Sequence, residues 1–222
     1  MKNLISVSVM CSDLMALGQD IKELERLGVD WLHVDIMDGH FVPNLTFGPD
    51  FVKAMHRTTD LPLDIHLMVE DPGFFMGLCD LREGDTVTAH VELGQHFEKL
   101  SAGAHAAGCR FGVALNPETP VDALEPHIHI MDAVTVMLVR PGHAGSKMVE
   151  GIMDKVGEVR SWLDAHGRKD VLISVDGSVS AERAHYMAGL GASIFVGGTA
   201  GIYRKGMSLE DTIPAFREAI TL

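Results

Sequence analysis

Short apolar and β-branched runs recur along the chain: LISVSVM (4–10), WLHVDI (31–36), LPLDIHLM (61–68), TVTAHV (86–91), RFGVAL (110–115), AVTVML (133–138), VLISVD (171–176) and ASIFVG (192–197). A polar loop follows each run, and after most of them comes a stretch of helical periodicity, so the pattern predicts strands alternating with helices. Within 13–27, Leu14, Leu17, Ile21, Leu24 and Leu27 share one helical face. Residues 149–165 repeat that pattern, and 209–220 form a last helix. Strands joined through helical crossovers pair in parallel.

Eight units in 222 residues leave about 28 residues for each, the length of a strand, a helix and two short loops. The expected fold is α/β, a single (β/α)8 TIM barrel over residues 1–222 as one domain. An open doubly wound sheet is the competing arrangement. The barrel is favoured because the eighth strand is followed by one final helix with nothing left over.

A barrel gathers its chemistry where strands end and βα loops begin. The second strand ends in His33 and Asp35, which alternation puts on one face about 7 Å apart. The third strand adds His66 and the seventh adds Asp176. Imidazole and carboxylate together suit one divalent metal ion such as Zn, Fe, Mn or Co, whereas Mg or Ca would favour oxygen alone. A single strand histidine is ordinarily a satisfied core residue. Four such groups at three strand ends are better explained by an ion that compensates them.

Glycine-rich loops follow the last three strands: Gly142-His143-Ala144-Gly145, then Gly177-Ser178, then Gly198-Thr199. Glycine lets backbone N–H groups approach an anion closely, and the loops after strands seven and eight are a frequent phosphate site in barrels. Met10, Met37, Met68 and Met137 fall at or just past strand ends, as core packing or as an apolar lining around a reacting centre.

Composition narrows the partners. Charge of -13, with the acidic residues dispersed, disfavours nucleic acid and anionic membranes. It also opposes capture of an anionic substrate, so a local phosphate site is required. Three separated cysteines without a C-x-x-C suit a reducing compartment. The first residues run directly into a strand with no long apolar segment, and the expectation is a cytoplasmic protein.

The stretch HVDIMDGHFVPNLTFGPDFV, then DIHLMVEDP, then VDGSVS, strongly resembles the ribulose-phosphate 3-epimerase family in content and order, and the resemblance runs almost end to end. It implies a barrel that interconverts ketose phosphates differing at C3, with a divalent metal held by His33, Asp35, His66 and Asp176. It implies proton transfer by Asp35 and Asp176 through a cis-enediolate stabilised by the metal. Substrate contacts are implied for Ser8, Met37, His66, Met68 and Met137. The phosphate grip would fall on Gly142, His143, Ala144, Gly145, Gly177, Ser178, Gly198 and Thr199. A homo-oligomer is also usual for that family.

Some positions depart from the common pattern. The start reads Ile5-Ser6-Val7-Ser8 instead of I-A-P-S, and the strand-six loop reads Arg140 to Ser146 instead of N-P-G-F-G-G-Q. Ser178 after Gly177, together with Met10-Cys11, Asn116 to Pro120 and Val196 to Gly201, resembles the allulose-6-phosphate 3-epimerase branch. Substrate expectations are therefore D-ribulose 5-phosphate or D-allulose 6-phosphate. The altered strand-six loop motivates an alternative, a non-catalytic phosphate-sugar binding barrel. A decarboxylase on a related barrel would need a lysine at a strand end, and none of the eight ends carries one.

Overall fold

A computed structural model describes residues 2–95 and 97–221. Eight strands, β1 (Leu4–Ser8), β2 (Trp31–Met37), β3 (Leu63–Met68), β4 (Thr86–His90), β5 (Arg110–Leu115), β6 (Ala133–Met137), β7 (Leu172–Asp176) and β8 (Ile194–Gly197), form a closed parallel barrel in chain order. Closure is made by β1 against β8, with Leu4 opposite Ile194 and Val7 opposite Gly197. The open sheet is thereby excluded.

Around the barrel lie α1 (Leu17–Arg26), α2 (Pro49–Thr58), α3 (Pro72–Leu78), α4 (Glu98–Ala106), α5 (Asp154–Ala165), α6 (Ala181–Gly189) and α7 (Leu209–Ala219). Between β5 and β6 stands a 3-10 helix, Val121–His127, where the other units have an α-helix. Pro126 lies inside it and has no N–H to give to a longer helical ladder.

Alternation along each strand separates two environments. Ile5, Val7, Leu32, Val34, Ile36, Ile65 and Leu67 join the apolar layer that the helices cover. The intervening Ser6, Ser8, His33, Asp35, Asp64, His66, Thr86, Thr88, His90, Thr135 and Ser174 are also buried but lie outside that layer. Barrel interiors are more often filled by Val, Ile and Leu. Part of this polar interior is bonded within itself: Ser6 and His33 meet Asp64, and Ser8 meets Asp35.

Two helix expectations shift at their starts. α1 begins at Leu17, because Asp13 closes a turn by accepting from the Met15 and Ala16 amides through its side chain and carbonyl. Leu14, expected on the buried face, is therefore 54% exposed. α5 begins at Asp154, after Val149 has paired with Leu138 and Gly151 has turned the chain with a φ of 74°.

Candidate active site

Register across the first strands sets the geometry: Ser8 is opposite His33, Asp35 is opposite His66, and Met37 is opposite Met68. These pairs stack in successive levels toward the C-terminal mouth. Asp176, the last residue of β7, enters from the other side of β1 and β8. One donor atom from each of His33, Asp35, His66 and Asp176 lies within 4.8 Å of the other three.

His33 Nδ1 lies 2.7 Å from Asp64 Oδ2, and the Ser6 hydroxyl donates to the same oxygen at 3.0 Å. A carboxylate only accepts, so Nδ1 carries the proton and Nε2 of the neutral ring keeps its lone pair. Nε2 faces Asp35 Oδ1 at 3.1 Å and Asp176 Oδ2 at 3.7 Å. A lone pair pointing at two carboxylates is unfavourable unless a proton or a cation stands between them. Burial works to lower the His33 pKa, yet Asp35 and Asp64 outweigh it and hold it well above the ordinary histidine value.

His66 repeats the arrangement. Its Nδ1 makes no hydrogen bond and lies 3.4 Å from Asp35 Oδ1 and 3.6 Å from Asp176 Oδ2. Its Nε2 is 2.8 Å from His90 Nε2. Burial opposes ionisation of Asp35, but both imidazoles outweigh it and its pKa falls well below the usual carboxylate range. The cluster thus combines fixed negative charge with inward nitrogens, one of them without a hydrogen bond. These four residues could hold a divalent cation, which would neutralise two carboxylates and use both nitrogens.

Above the cluster opens a cleft enclosing about 560 Å³, part of it open to solvent. Asp35 and Asp176 line it, whereas His33 and His66 lie behind them, at most 1% exposed. Every other expected contact lines the same cleft: Ser8, Met37, Met68, Met137, Gly142, His143, Ala144, Gly145, Gly177, Ser178, Gly198 and Thr199. Met37 and Met68 pack with Val42, Met10 and Phe41 in a cluster separate from the main core. The methionines therefore form a lining.

The three glycine loops meet at one end of the cleft. Ser178 has a φ of 54°, the only non-glycine residue with positive φ among those described, and follows Gly177 at 106°. The Ser178 hydroxyl donates to the Ser146 carbonyl at 3.0 Å, and Arg183 donates to the Ser178 carbonyl at 2.7 Å. Asn44 donates to the Gly142 carbonyl at 2.7 Å and so joins the β2 loop to the β6 loop. Among the described residues, no lysine or arginine lines the cleft.

Asp64, His90, Glu92 and Ser6 were not singled out by sequence reasoning, although the first two obey the alternation that marks His33. Cys11 also lines the cleft, 4.0 Å from the Ser8 hydroxyl, and burial pushes its thiol pKa up. Asp38, in the same sequence signature as Asp35, is structural: its carboxylate accepts from the amides of His40, Phe41 and Glu70.

A closed parallel barrel with acid and imidazole groups at its C-terminal mouth defines the chain as a (β/α)8 barrel of the enzyme type. The sequence matches the Ribulose-phosphate 3 epimerase family over residues 4–202. It is 40% identical over 196 residues to a ribulose-phosphate 3-epimerase of Bacillus subtilis (strain 168), covering 88% of this chain and 90% of that one. A ribulose-phosphate 3-epimerase of Rhodobacter capsulatus is 39% identical over 202 residues, covering 91% and 86%. Among solved structures, Mycobacterium tuberculosis tryptophan synthase superposes with a TM-score of 0.66 at 13% identity, covering 100% of this chain and 93% of that one, a likeness of fold alone.

The chain belongs to the ribulose-phosphate 3-epimerase family. It is an isomerase acting on a carbohydrate phosphate. Among the described residues, no helix is long and apolar enough to cross a membrane.

Proposed function

We propose that the chain, as one barrel domain, interconverts D-ribulose 5-phosphate and D-xylulose 5-phosphate by moving a proton at C3 between Asp35 and Asp176. The observation carrying this reading is that these two carboxylates, from strands three steps apart around the barrel, line one cleft and share the edges of two imidazoles. Epimerisation needs a base on one face of the substrate and an acid on the other. In the forward direction one aspartate takes the C3 proton, the C–H electrons become the C2–C3 double bond as the C2 carbonyl π pair moves onto its oxygen, and the enediolate restores that carbonyl as C3 takes a proton from the other aspartate on the opposite side.

The residues suited to hold a divalent cation are His33, Asp35, His66 and Asp176. When bound, such an ion supplies positive charge to the substrate oxygens that become electron-rich as the C3 proton leaves. Ser8 donates to Asp35 Oδ2 at 3.1 Å and orients that carboxylate. Met37, Met68 and Met137 offer neither acidic protons nor hydrogen bonds to the reacting carbon, and they keep water from it.

The phosphate group fits the opposite end of the cleft, against the loops Gly142–Gly145, Gly177–Ser178 and Gly198–Thr199. With no lysine or arginine there among the described residues and a net charge of -13, backbone N–H groups and hydroxyls provide much of the attraction. A second reading, C3 epimerisation of D-allulose 6-phosphate to D-fructose 6-phosphate, is motivated by Ser178, which follows Gly177 where the family pattern has a second glycine and whose hydroxyl donates to the Ser146 carbonyl.

NMR of the purified protein with each ketose phosphate in deuterated water tests both readings. Product formation with deuterium at C3 is expected, and the larger kcat/KM identifies the substrate. Asp176→Asn should abolish epimerisation while the fold persists. Retained turnover in that variant overturns the two-aspartate assignment.

A further inference from the structure

One hydrogen-bonded chain begins outside the barrel and ends on His66. Lys155, in the first turn of α5, is 7% exposed and donates to the carbonyls of Asn116 at 2.8 Å, Pro117 at 3.1 Å and Thr119 at 2.5 Å. A buried ammonium with three carbonyl acceptors is fully satisfied and pins the loop that supplies them. That loop directs the Asn116 amide, at 2.7 Å, and the Thr119 hydroxyl onto Glu92 Oε1. Glu92 Oε2 lies 3.0 Å from His90 Nδ1, and His90 Nε2 lies 2.8 Å from His66 Nε2.

With both rings neutral, as a cation on the cluster would hold them, counting protons along this chain leaves one consistent assignment. Burial would raise the Glu92 carboxyl pKa, but His90, Thr119 and the Asn116 amide outweigh it and hold it down at about 2. The carboxylate accepts, so His90 Nδ1 donates. A neutral imidazole has a single N–H, so His90 Nε2 accepts from His66 Nε2. The proton of neutral His66 is then on Nε2, and its Nδ1 lone pair points toward Asp35 and Asp176. Reversing the order would set a His90 lone pair against Glu92 and put a proton on His66 Nδ1, where the two carboxylates would accept it and no cation could bind.

We propose that Glu92 and His90 are positioning residues that hold His66 in its Nε2–H form, and that Lys155 keeps Glu92 in register through the 116–119 loop. The proposal rests on the reading of His33, Asp35, His66 and Asp176 as cation ligands. It adds a means of selecting the tautomer able to bind, built from three βα units. Partners behind ligand histidines set ring orientation and basicity in this way.

Glu92→Gln gives the direct test. The glutamine oxygen has reason to stay on the Asn116 amide, which turns its NH2 toward His90 Nδ1 and reverses every bond down to His66. Titration with Co2+, followed by absorption, should show affinity weakened roughly 10- to 100-fold, with the circular dichroism unchanged. 15N NMR of the histidine rings in the wild-type protein loaded with Zn2+ should show Nε2–H on His66, and Lys155→Met should weaken Co2+ binding in the same direction. Wild-type Co2+ affinity in Glu92→Gln, or a proton on His66 Nδ1 in the wild type, overturns the relay. A wild-type chain that binds neither ion overturns the underlying cation reading instead, so the two failures are distinguishable.

Discussion

Asp64 reaches from β3 to the ring of His33 on β2, 2.7 Å from Nδ1, and so turns the other nitrogen of that ring toward Asp35 and Asp176. The contact is buried, and Ser6 completes the carboxylate. Asp64→Asn can present an NH2 group to Nδ1 and reverse the ring's polarity. Cation affinity and kcat/KM should each fall roughly 10- to 100-fold, measured by Co2+ titration and steady-state kinetics. Asp64→Ala should also lower the melting temperature, because it strips a buried imidazole of its partner.

Removing the cation should couple function to stability. Dialysis against a chelator is expected to abolish C3 exchange and lower the melting temperature, and added Zn2+, Mn2+ or Co2+ should restore both. A ligand at 100 times its Kd stabilises the folded state by about 2.7 kcal/mol. For a chain of this size that corresponds to about 5–10 °C, readable by calorimetry. Full activity after chelation would rule out a cation-dependent reaction.

How much of this site is visible in the sequence depends on how far apart its partners lie. His33, Asp35 and His66 occupy alternate positions within β2 and β3, and Asp176 ends β7, so alternation turns them to the same side of the barrel wall. Asp64 and His90 obey the same alternation in β3 and β4, and the signal for them is present. Glu92 differs, since its role depends on a loop from the next βα unit and a lysine from a later helix, contacts that no local pattern encodes. Strand positions were legible because burial on two different faces leaves a period of two. The start of α1 was not, because the Asp13 turn competes with helical periodicity through its own backbone bonds.

Gly177 holds the entry to the loop expected to grip phosphate. Its φ is 106°, and an added Cβ would lie 2.6 Å from Val139 Cγ2, a β-branched side chain with little room to rotate. Gly177→Ala should therefore destabilise the protein by about 2–3 kcal/mol and raise KM more than it lowers kcat. Gly151 serves as the control, with a φ of 74° and nothing within 4 Å of an added Cβ. Gly151→Ala should cost about 1 kcal/mol and leave KM unchanged. Denaturation midpoints and KM of the two variants separate a local conformational cost from damage to the cleft.

Asp30 ties both ends of the chain to β1 and determines part of the acid stability. Its Oδ2 accepts from the Ile5 amide at 2.8 Å and from Arg217 at 2.5 Å, and its Oδ1 accepts from Lys2 at 2.7 Å. Burial works to raise the carboxyl pKa, but Lys2, Ile5 and Arg217 outweigh it and leave the folded value lowered. In the unfolded chain an aspartate titrates near about 3.9. A lowered folded pKa means that the unfolded state takes up the proton first, so this stabilisation is fully present above about pH 4 and is lost as pH falls through the folded value. Asp30→Asn should cost about 2 kcal/mol at pH 7, where charge-assisted bonds are lost. The gap between wild type and variant in urea midpoint should narrow steadily below pH 4. A gap that stays constant from pH 7 to pH 2.5 would mean that Asp30 acts through shape and not through charge.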